Sequence, residues 1–165
     1  MRHKAHFDPG VGRDDIRMMP SGFGEMTEDE VFISAEAADR VEAWVAAAEA
    51  RGARVRRFGA RVGSVVPAIV IEGAPFDCDV HRREVFGPVV TIQAYDELDE
   101  AIALSNDTEY GLQAAIFTSD LGKAMKAARS LDFGGVLINE VPTWRADQMP
   151  YGGVRDSGNT REGPA

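Results

Sequence analysis

The chain has 165 residues and a formal net charge of −9, from 18 Lys and Arg against 27 Asp and Glu. This length fits one domain with a sizeable core, and the negative charge argues against general binding to nucleic acid or to an anionic membrane surface. The longest apolar run, VVPAIVI at 65–71, is too short for a membrane span, and the N-terminus lacks the apolar core of a signal peptide. The sequence therefore predicts a soluble, cytoplasmic protein.

The first third of the chain divides into an arm, a helix and two strands. Residues 1–33 mix Gly, Pro, Met and charge without a period, which predicts an irregular N-terminal arm. A helical period then begins at Ser34, the expected N-cap, and stops at Gly52. Two short strands follow, at ARVRRF and VPAIVI. The arginines in the first of these strands alternate with apolar residues, which indicates a solvated strand face rather than a basic binding patch.

The middle of the chain alternates between strand and helix patterns. VVTIQAY at 89–95 and QAAIFT at 113–118 are typical of buried strands, and Asp96 is the expected cap of the helix between them. A second helix, capped by Ser119 and ended by Gly134, leads to the strand VLIN. The apolar stripe of this second helix is predicted at Leu121, Ala124, Met125, Ala128 and Leu131.

Two consecutive βαβ units imply an α/β fold. Its sheet is expected to be parallel, with helices on both faces and functional groups at the carboxyl ends of the strands, where Asn139 lies. After Val141 the last 24 residues show no helix or strand period, and a structureless stretch of that length is unusual inside a complete compact domain.

Four segments carry a family resemblance: REVFGPVV, LSNDTEYGLQAAIFTSDL, GGVLINEVPTWRADQMPYGGV and RDSGNTREG. In this order and spacing they resemble the C-terminal part of an aldehyde dehydrogenase catalytic domain. The resemblance covers about residues 34–163, so we expect 34–165 to be a partial, truncated catalytic domain that follows the arm at 1–33. Such enzymes oxidise aldehydes to acids through a cysteine thioester, with NAD or NADP as hydride acceptor.

The resemblance also implies what the chain lacks. The family's cysteine nucleophile, its water-activating glutamate and its dinucleotide-binding sheet lie N-terminal to the matched region. We therefore expect no catalytic residue in this chain, no activity alone, and weak or no binding of NAD or NADP. The sole cysteine, Cys78, lies six residues before Glu84 among acidic neighbours and does not match the family's nucleophile segment, so we interpret it as structural. Cys78 and His81 are too few for a metal site.

Glu84 and Phe86 are the predicted cofactor-binding residues. Glu84 matches the glutamate that accepts hydrogen bonds from the nicotinamide ribose, and an ionised carboxylate suits a vicinal diol because it only accepts hydrogen bonds. Phe86 matches the aromatic residue near the nicotinamide. The alternative is an ion pair of Glu84 with Arg82 or Arg83 and a core position for Phe86. Arg83 departs from the family, which commonly carries a second acidic residue there.

Asn139, Trp144 and Tyr151 match positions that support or line the substrate tunnel, with plain core burial as the alternative. The segment around them resembles members that act on small hydroxylated or charged aldehydes. Gly152 and Gly153 are expected in a tight turn, and Arg155 stands where a lysine is usual.

Two functions from different classes stay open. The first is a partial aldehyde dehydrogenase, with a small aldehyde as the parent enzyme's substrate and a separate N-terminal half as a partner. The second is a non-catalytic protein-binding module that uses exposed sheet edges, which would also favour self-association.

Overall fold

The computed structural model describes residues 17–20, 29–31, 34–158, 160 and 162–163. Within these ranges the chain alternates strands and helices. The strands are β1 (Arg17–Pro20), β2 (Asp29–Val31), β3 (Arg54–Arg57), β4 (Val65–Pro67), β5 (Ile69–Glu72), β6 (Val89–Ile92), β7 (Gln113–Phe117) and β8 (Gly135–Ile138). The helices are α1 (Ala35–Ala50), α2 (Asp79–Arg82), α3 (Leu98–Asn106) and α4 (Leu121–Ser130), with a 3-10 turn at Arg155–Ser157.

Helix α1 begins and ends as the sequence predicts. The Ser34 hydroxyl accepts a hydrogen bond from the Ala37 N–H at 3.2 Å, and Gly52 follows the helix with a φ of +98°. Its apolar stripe packs against β4 and β5 to form the larger of the two cores among the described residues. The fully buried members of this core are Ala38, Val41, Val45, Ala48, Val66, Ile69 and Ile71.

The described strands form three small sheets rather than the single parallel sheet that was predicted. The order of the two larger sheets is β3-β5-β6 and β1-β7-β8, and β2 pairs with β4. The pairs β5–β6 and β7–β8 are parallel, whereas β1 and β3 run antiparallel to their neighbours. The β7–α4–β8 unit is thus confirmed. The predicted unit across α3 is wrong, because β6 and β7 belong to different sheets.

The α/β fold is confirmed, and local details differ. Helix α3 begins after Glu97 without a side-chain cap, and Glu100 instead accepts a hydrogen bond from the Asp96 N–H at 3.1 Å. Helix α4 is capped by Asp120, not Ser119, through a 3.0 Å bond from the Lys123 N–H.

The buried stripe of α4 is also displaced from its predicted position. Ala124, Ala127 and Leu131 face the core, while Leu121 and Met125 are 75% and 40% exposed. Because alanine side chains are small, this face of α4 can pack closely against its sheet.

The arm is partly regular. Residues 17–20 pair with β7 and residues 29–31 pair with β4, so both segments are strands. The sequence of three or four residues does not show such long-range pairing. The rest of 1–33 lies outside the described residues.

The stretch after Val141 has no long element, as predicted, yet backbone bonds hold it in place. The Val154 N–H donates to the Gly111 carbonyl at 3.0 Å, and Tyr151 pairs with Glu162 in an antiparallel bridge. A Cβ at Gly134 would overlap the carbonyl oxygen of Gly152, so the glycines permit this loop to dock closely against the start of β8. None of the described helices is long and apolar enough to cross a bilayer.

Candidate functional site

The predicted cofactor residues line an open cavity of about 530 Å³. It lies where α1, the short helix α2 and the loop before β6 meet. Three aromatic rings and four charged side chains surround it: Arg40, Trp44, Asp79, Arg83, Glu84, Phe86 and Tyr110.

Glu84 lies in the loop before β6, and its side chain is exposed. The loop follows α2 directly and leads into β6 at Val89, where the predicted strand at 89–95 begins. The neighbouring arginines are engaged elsewhere: Arg82 pairs with Asp107 at 2.9 Å and Arg83 with Asp79 at 3.8 Å. Among the described residues, no ion pair or hydrogen bond of the Glu84 carboxylate is present. The alternative interpretation of Glu84 as an ion-pair partner of these arginines is therefore wrong.

Phe86 is not a core residue either. Its ring is 69% exposed, and its φ is +47°, a left-handed conformation that is unfavourable for a bulky residue. Such strain persists only where the surrounding structure enforces it, and it is frequent at binding sites. Pro88, two residues on, is fully buried and its carbonyl accepts a 2.8 Å bond from the Ile69 N–H, which anchors the loop to the larger core.

Helix α1 supports the other side of the loop. Arg40 donates from Nη2 to the Val85 carbonyl at 3.3 Å, and its guanidinium carbon lies 5.2 Å from the centroid of a Trp44 ring. This i, i+4 pair thus forms one wall of the cavity and ties it to the residue after Glu84. The sequence alone did not indicate a site role for Trp44, although the i, i+4 spacing of Arg40 and Trp44 is a signal that could have been noticed.

His81 lies in α2, three residues before Glu84. Its ring is stacked on Phe76 with 5.0 Å between centroids, and its Nε2 atom is buried without a partner among the described residues. Burial lowers the pKa of His81 from its ordinary value of 6.5, against an opposing hydrogen bond with the Ala74 backbone; Arg82 lowers it further. The fold therefore favours the neutral form of the His81 imidazole over the charged form.

Asn139 joins the ends of two parallel strands. Its amide oxygen accepts from the Thr118 N–H at 2.8 Å, and its amide nitrogen donates to the Thr118 carbonyl at 3.0 Å. These bonds hold Asn139 in a left-handed conformation with a φ of +57° at the carboxyl ends of β7 and β8.

Trp144 and Tyr151 lie in the segment that follows. Trp144 is 45% exposed, which rules out plain core burial, and Tyr151 is half-buried. The guanidinium carbon of Arg145 lies 4.5 Å from the Tyr151 ring centroid, and Arg145 also pairs with Glu162 at 3.3 Å. Neither aromatic residue lines the cavity around Glu84, so the structure does not bring the two predicted sets into one cavity.

Cys78 belongs to the core. It is 5% exposed, and its Sγ accepts a 3.3 Å hydrogen bond from Nη1 of Arg51. The same guanidinium bonds both carboxylate oxygens of Asp77, at 2.8 and 3.0 Å, and this hydrogen bonding lowers the pKa of Asp77. Cys78 thus lies beneath an ion pair. No group of three metal-ligating side chains occurs in the part of the chain that the structure describes.

Known proteins match this chain over the region that contains the loop around Glu84 and the segment around Trp144 and Tyr151. A sequence model of the aldehyde dehydrogenase family matches residues 18–165. The chain is 46% identical over 140 residues to 3-sulfolactaldehyde dehydrogenase of Priestia aryabhattai, an alignment that covers 85% of this chain and 29% of the relative.

Solved structures agree with this match. Aldehyde dehydrogenase 21 from Physcomitrella patens, crystallised with the reaction product succinate, superposes with a TM-score of 0.75 at 42% identity, over 81% of this chain and 28% of that one. Glyceraldehyde-3-phosphate dehydrogenase from Methanocaldococcus jannaschii, crystallised with NADP, gives 0.74 at 40% identity, over 81% and 29%. The chain spans about three tenths of the length of these proteins.

Proposed function

The chain belongs to the aldehyde dehydrogenase family, and from this we propose that residues 34–165 supply the nicotinamide-ribose side of the active site of an NAD- or NADP-dependent aldehyde dehydrogenase. The observation that carries the proposal is the exposed carboxylate of Glu84, which has no ion pair or hydrogen bond among the described residues and lies with the strained, exposed ring of Phe86 in one open cavity.

The residues present fit a nicotinamide ribose. A carboxylate that the described residues leave free to accept hydrogen bonds has acceptor sites for both hydroxyls of a vicinal diol, and charge assistance strengthens both bonds. The exposed ring of Phe86, with Trp44 and Tyr110, offers flat apolar walls for a heteroaromatic ring. The cofactor, when bound, supplies the hydride acceptor of the family's reaction.

We propose further that the 165-residue chain has no turnover by itself. Thioester chemistry needs an accessible thiolate, whereas the single cysteine of this sequence is buried in the core beneath the Arg51–Asp77 pair. Glu84 alone binds a nicotinamide cofactor weakly at best, since one charge-assisted hydrogen bond contributes about 1.5 to 3 kcal/mol and millimolar affinity requires about 4 kcal/mol.

The substrate we propose is a small aldehyde with a negatively charged or hydroxylated tail. The relatives support this class: one is named for 3-sulfolactaldehyde and another was crystallised with succinate. In this chain Arg145 is a cation between the predicted tunnel residues Trp144 and Tyr151, and its pair with Glu162 is solvent-accessible, so an anion can replace that carboxylate. Asn139 would support this segment from the strand ends.

A protein-binding role is the second candidate, favoured by two exposed apolar residues. Ile92 on β6 and Ile138 on β8 are 51% and 41% exposed, and each lies on a strand at the edge of its described sheet. Edge strands with apolar side chains pair readily with another chain. A second copy of this chain, or the remaining part of a catalytic domain, is the partner we propose for them.

A chimera tests the proposed cofactor role. In 3-sulfolactaldehyde dehydrogenase of Priestia aryabhattai, the aligned segment is replaced by residues 34–163 of this chain. We expect an active chimera in which Glu84→Gln raises the KM for the nicotinamide cofactor about tenfold or more, the loss of one charge-assisted bond. Arg56→Gln, a change of an exposed charge outside the cavity, is the matched control. An unchanged cofactor KM in the Glu84 variant would refute the role.

The chain alone is assayed in parallel with short aldehydes and both cofactors. We expect no formation of reduced cofactor. Turnover that Cys78→Ala abolishes would make Cys78 the nucleophile and overturn the proposal.

A further inference from the structure

The cavity around Glu84 lies at a seam between the two cores. The first core is formed by α1, α2, β4 and β5, and the second by α3, α4, β7 and β8. No strand pairing among the described residues joins the sheet β3-β5-β6 to the sheet β1-β7-β8. The lining residues come from α1, α2 and the loop before β6, except Tyr110, which comes from the turn after α3. The width of the cavity therefore depends on how the two cores are held relative to each other.

The side chain of Arg82 spans this seam. Arg82 is the last residue of α2 and lies two residues before Glu84. Its guanidinium donates to the two carboxylate oxygens of Asp107 at 2.9 and 3.1 Å and to the Asp107 carbonyl at 3.2 Å. Asp107 is the C-cap of α3 and precedes Tyr110 by three residues. A bidentate pair of this kind fixes orientation as well as distance, because two parallel N–H donors face two carboxylate oxygens.

The turn that carries Tyr110 is fixed to the second core. Arg155 donates to the Tyr110 carbonyl at 2.6 and 3.1 Å, and its guanidinium carbon lies 5.4 Å from the centroid of the Phe133 ring, which packs against that core. Tyr110 is therefore held with the second core, whereas Glu84 follows α2, which belongs to the first. A change in the relative position of the cores changes the distance between these two walls of the cavity.

The bridge between Arg82 and Asp107 is well placed to control geometry without dominating stability. The two side chains are 43% and 59% exposed. Exposed ion pairs contribute little to the free energy of unfolding, because water competes for both groups and salt screens their attraction. Loss of this bridge should therefore alter the cavity at the seam more than it alters the stability of either core.

From this arrangement we propose that Arg82 and Asp107 are positioning residues, whose bridge sets the distance between the loop around Glu84 and the wall at Tyr110. Neither residue lines the cavity, so both act through the elements that carry its walls. The inference rests on the proposed function only for the ligand that the cavity binds. Ionic strength regulates the width of the cavity, since salt weakens an exposed bridge and leaves the apolar cores intact.

Acrylamide quenching of Trp44 in the full chain measures the opening of the cavity. The Trp144→Phe background leaves Trp44, in the cavity wall, as the remaining tryptophan of the two. Acrylamide is neutral, so a change in local charge does not alter its approach. We expect Arg82→Gln and Asp107→Asn each to raise the quenching constant about twofold. The parent chain should show a similar rise between about 0.01 M and about 1 M NaCl, where the Debye length falls from about 30 to about 3 Å.

Ligand binding and a charge reversal separate positioning from a general loss of structure. Nicotinamide mononucleotide should bind about two- to fivefold more weakly to either single variant, the effect of one exposed pair. Arg82→Asp combined with Asp107→Arg restores opposite charges across the seam, so quenching and binding should return towards the parent values. Lys126→Gln removes an exposed pair with Asp99 between α4 and α3, within the second core, and as the matched control should change neither.

Each result decides between the two roles. Quenching that Arg82→Gln leaves unchanged, or that Lys126→Gln raises equally, would overturn the positioning role while leaving the role of Glu84 in place. A single variant that circular dichroism shows to be unfolded would also overturn it, because the bridge would then hold the fold together. Raised quenching in the Arg82 variant, with mononucleotide binding that Glu84→Gln does not alter, would instead refute the proposed function and leave the positioning role in place.

Discussion

Replacement of Arg155 should release the C-terminal loop from the body of the fold. The guanidinium donates to the Tyr110 carbonyl at 2.6 and 3.1 Å, to the Asp132 carbonyl at 2.8 Å and to the Asn106 carbonyl at 3.3 Å. It also bonds the Asp132 carboxylate at 3.1 Å and lies over the Phe133 ring at 5.4 Å. The side chain of Arg155 thus connects the loop at 149–158 to the turn before β7 and to the turn before β8.

The expected loss of stability follows from these contacts. The side chain of Arg155 is 25% exposed, so water partly replaces the lost partners and the longer bonds contribute little. The two shortest bonds, at the lower limit of about 1.5 kcal/mol for hydrogen bonds to a charged group, together contribute about 3 kcal/mol. For a chain of this size, a loss of that magnitude lowers the Tm by roughly 6 to 12 °C.

Urea and thermal unfolding of three variants, followed by circular dichroism, measure the effect. Arg155→Ala should lower the free energy of unfolding by the full amount of about 3 kcal/mol. Arg155→Lys should lose about half, because an ammonium group keeps the charge but cannot reach several carbonyls at once. Arg129→Ala, in the last turn of α4, removes an exposed charge that has no partner among the described residues and should cost less than about 0.5 kcal/mol. Equal stabilities of the Arg155 and Arg129 variants would refute the reasoning.

Three further predictions concern pH, packing and association. Because the pKa of His81 is lowered in the fold, the unfolded chain binds more protons, so the free energy of unfolding should fall as pH drops below about 6.5 and level off below the folded pKa. His81→Gln should flatten that part of the profile, and an unchanged slope in urea titrations would contradict the assignment. Gly134→Ala should destabilise by about 2 kcal/mol or more, because its Cβ would overlap the Gly152 backbone, whereas Gly122→Ala in α4 should be tolerated; equal melting curves would exclude the close approach. The exposed edges of β6 and β8 should cause concentration-dependent self-association in sedimentation velocity, weakened by Ile92→Lys, and a compact monomer at high concentration would count against it.

Local patterns predicted those elements whose signals are local. Ser34 and Gly52 bound α1 because a hydroxyl cap and a positive φ act within one turn. Where two neighbouring residues can both cap, as Ser119 and Asp120 can, sequence alone does not decide between them. The position of Glu84 before β6 was likewise predictable, since the apolar run and the Gly-Pro corner are adjacent in sequence.

Long-range pairing was not predictable in the same way. Each of β6 and β7 has a clear strand pattern. The pattern does not show that β6 pairs with β5 and β7 with β8, because pairing depends on residues distant in sequence. The participation of Trp44 and Tyr110 in the cavity is a similar case, because it results from α1 and the turn after α3 meeting the loop around Glu84. The ligand roles of Glu84, Phe86, Asn139, Trp144 and Tyr151 stay predictions.

Backbone strain distinguishes the loop around Glu84 and Phe86 from the other unusual turns. Three non-glycine residues, Phe86, Asn139 and Arg155, have φ values of +47°, +57° and +55°. At Asn139, two hydrogen bonds with Thr118 offset the backbone strain. At Arg155, the hydrogen bonds from its guanidinium to backbone carbonyls offset it. Phe86 has no such compensation among the described residues, since its ring is 69% exposed.

The strained backbone at Phe86 costs free energy that no contact among the described residues offsets. Burial of the Phe86 ring by a ligand or a partner would offset it. A ligand or partner that packs on Phe86 would bury apolar area worth about 25 cal/mol per Å² and offset a backbone cost of about 1 to 3 kcal/mol. Phe86→Gly relieves the strain, so it should leave the stability of the free chain unchanged or higher while weakening nicotinamide mononucleotide binding. A variant that is less stable and binds equally well would show that the conformation of Phe86 serves the fold and not the site.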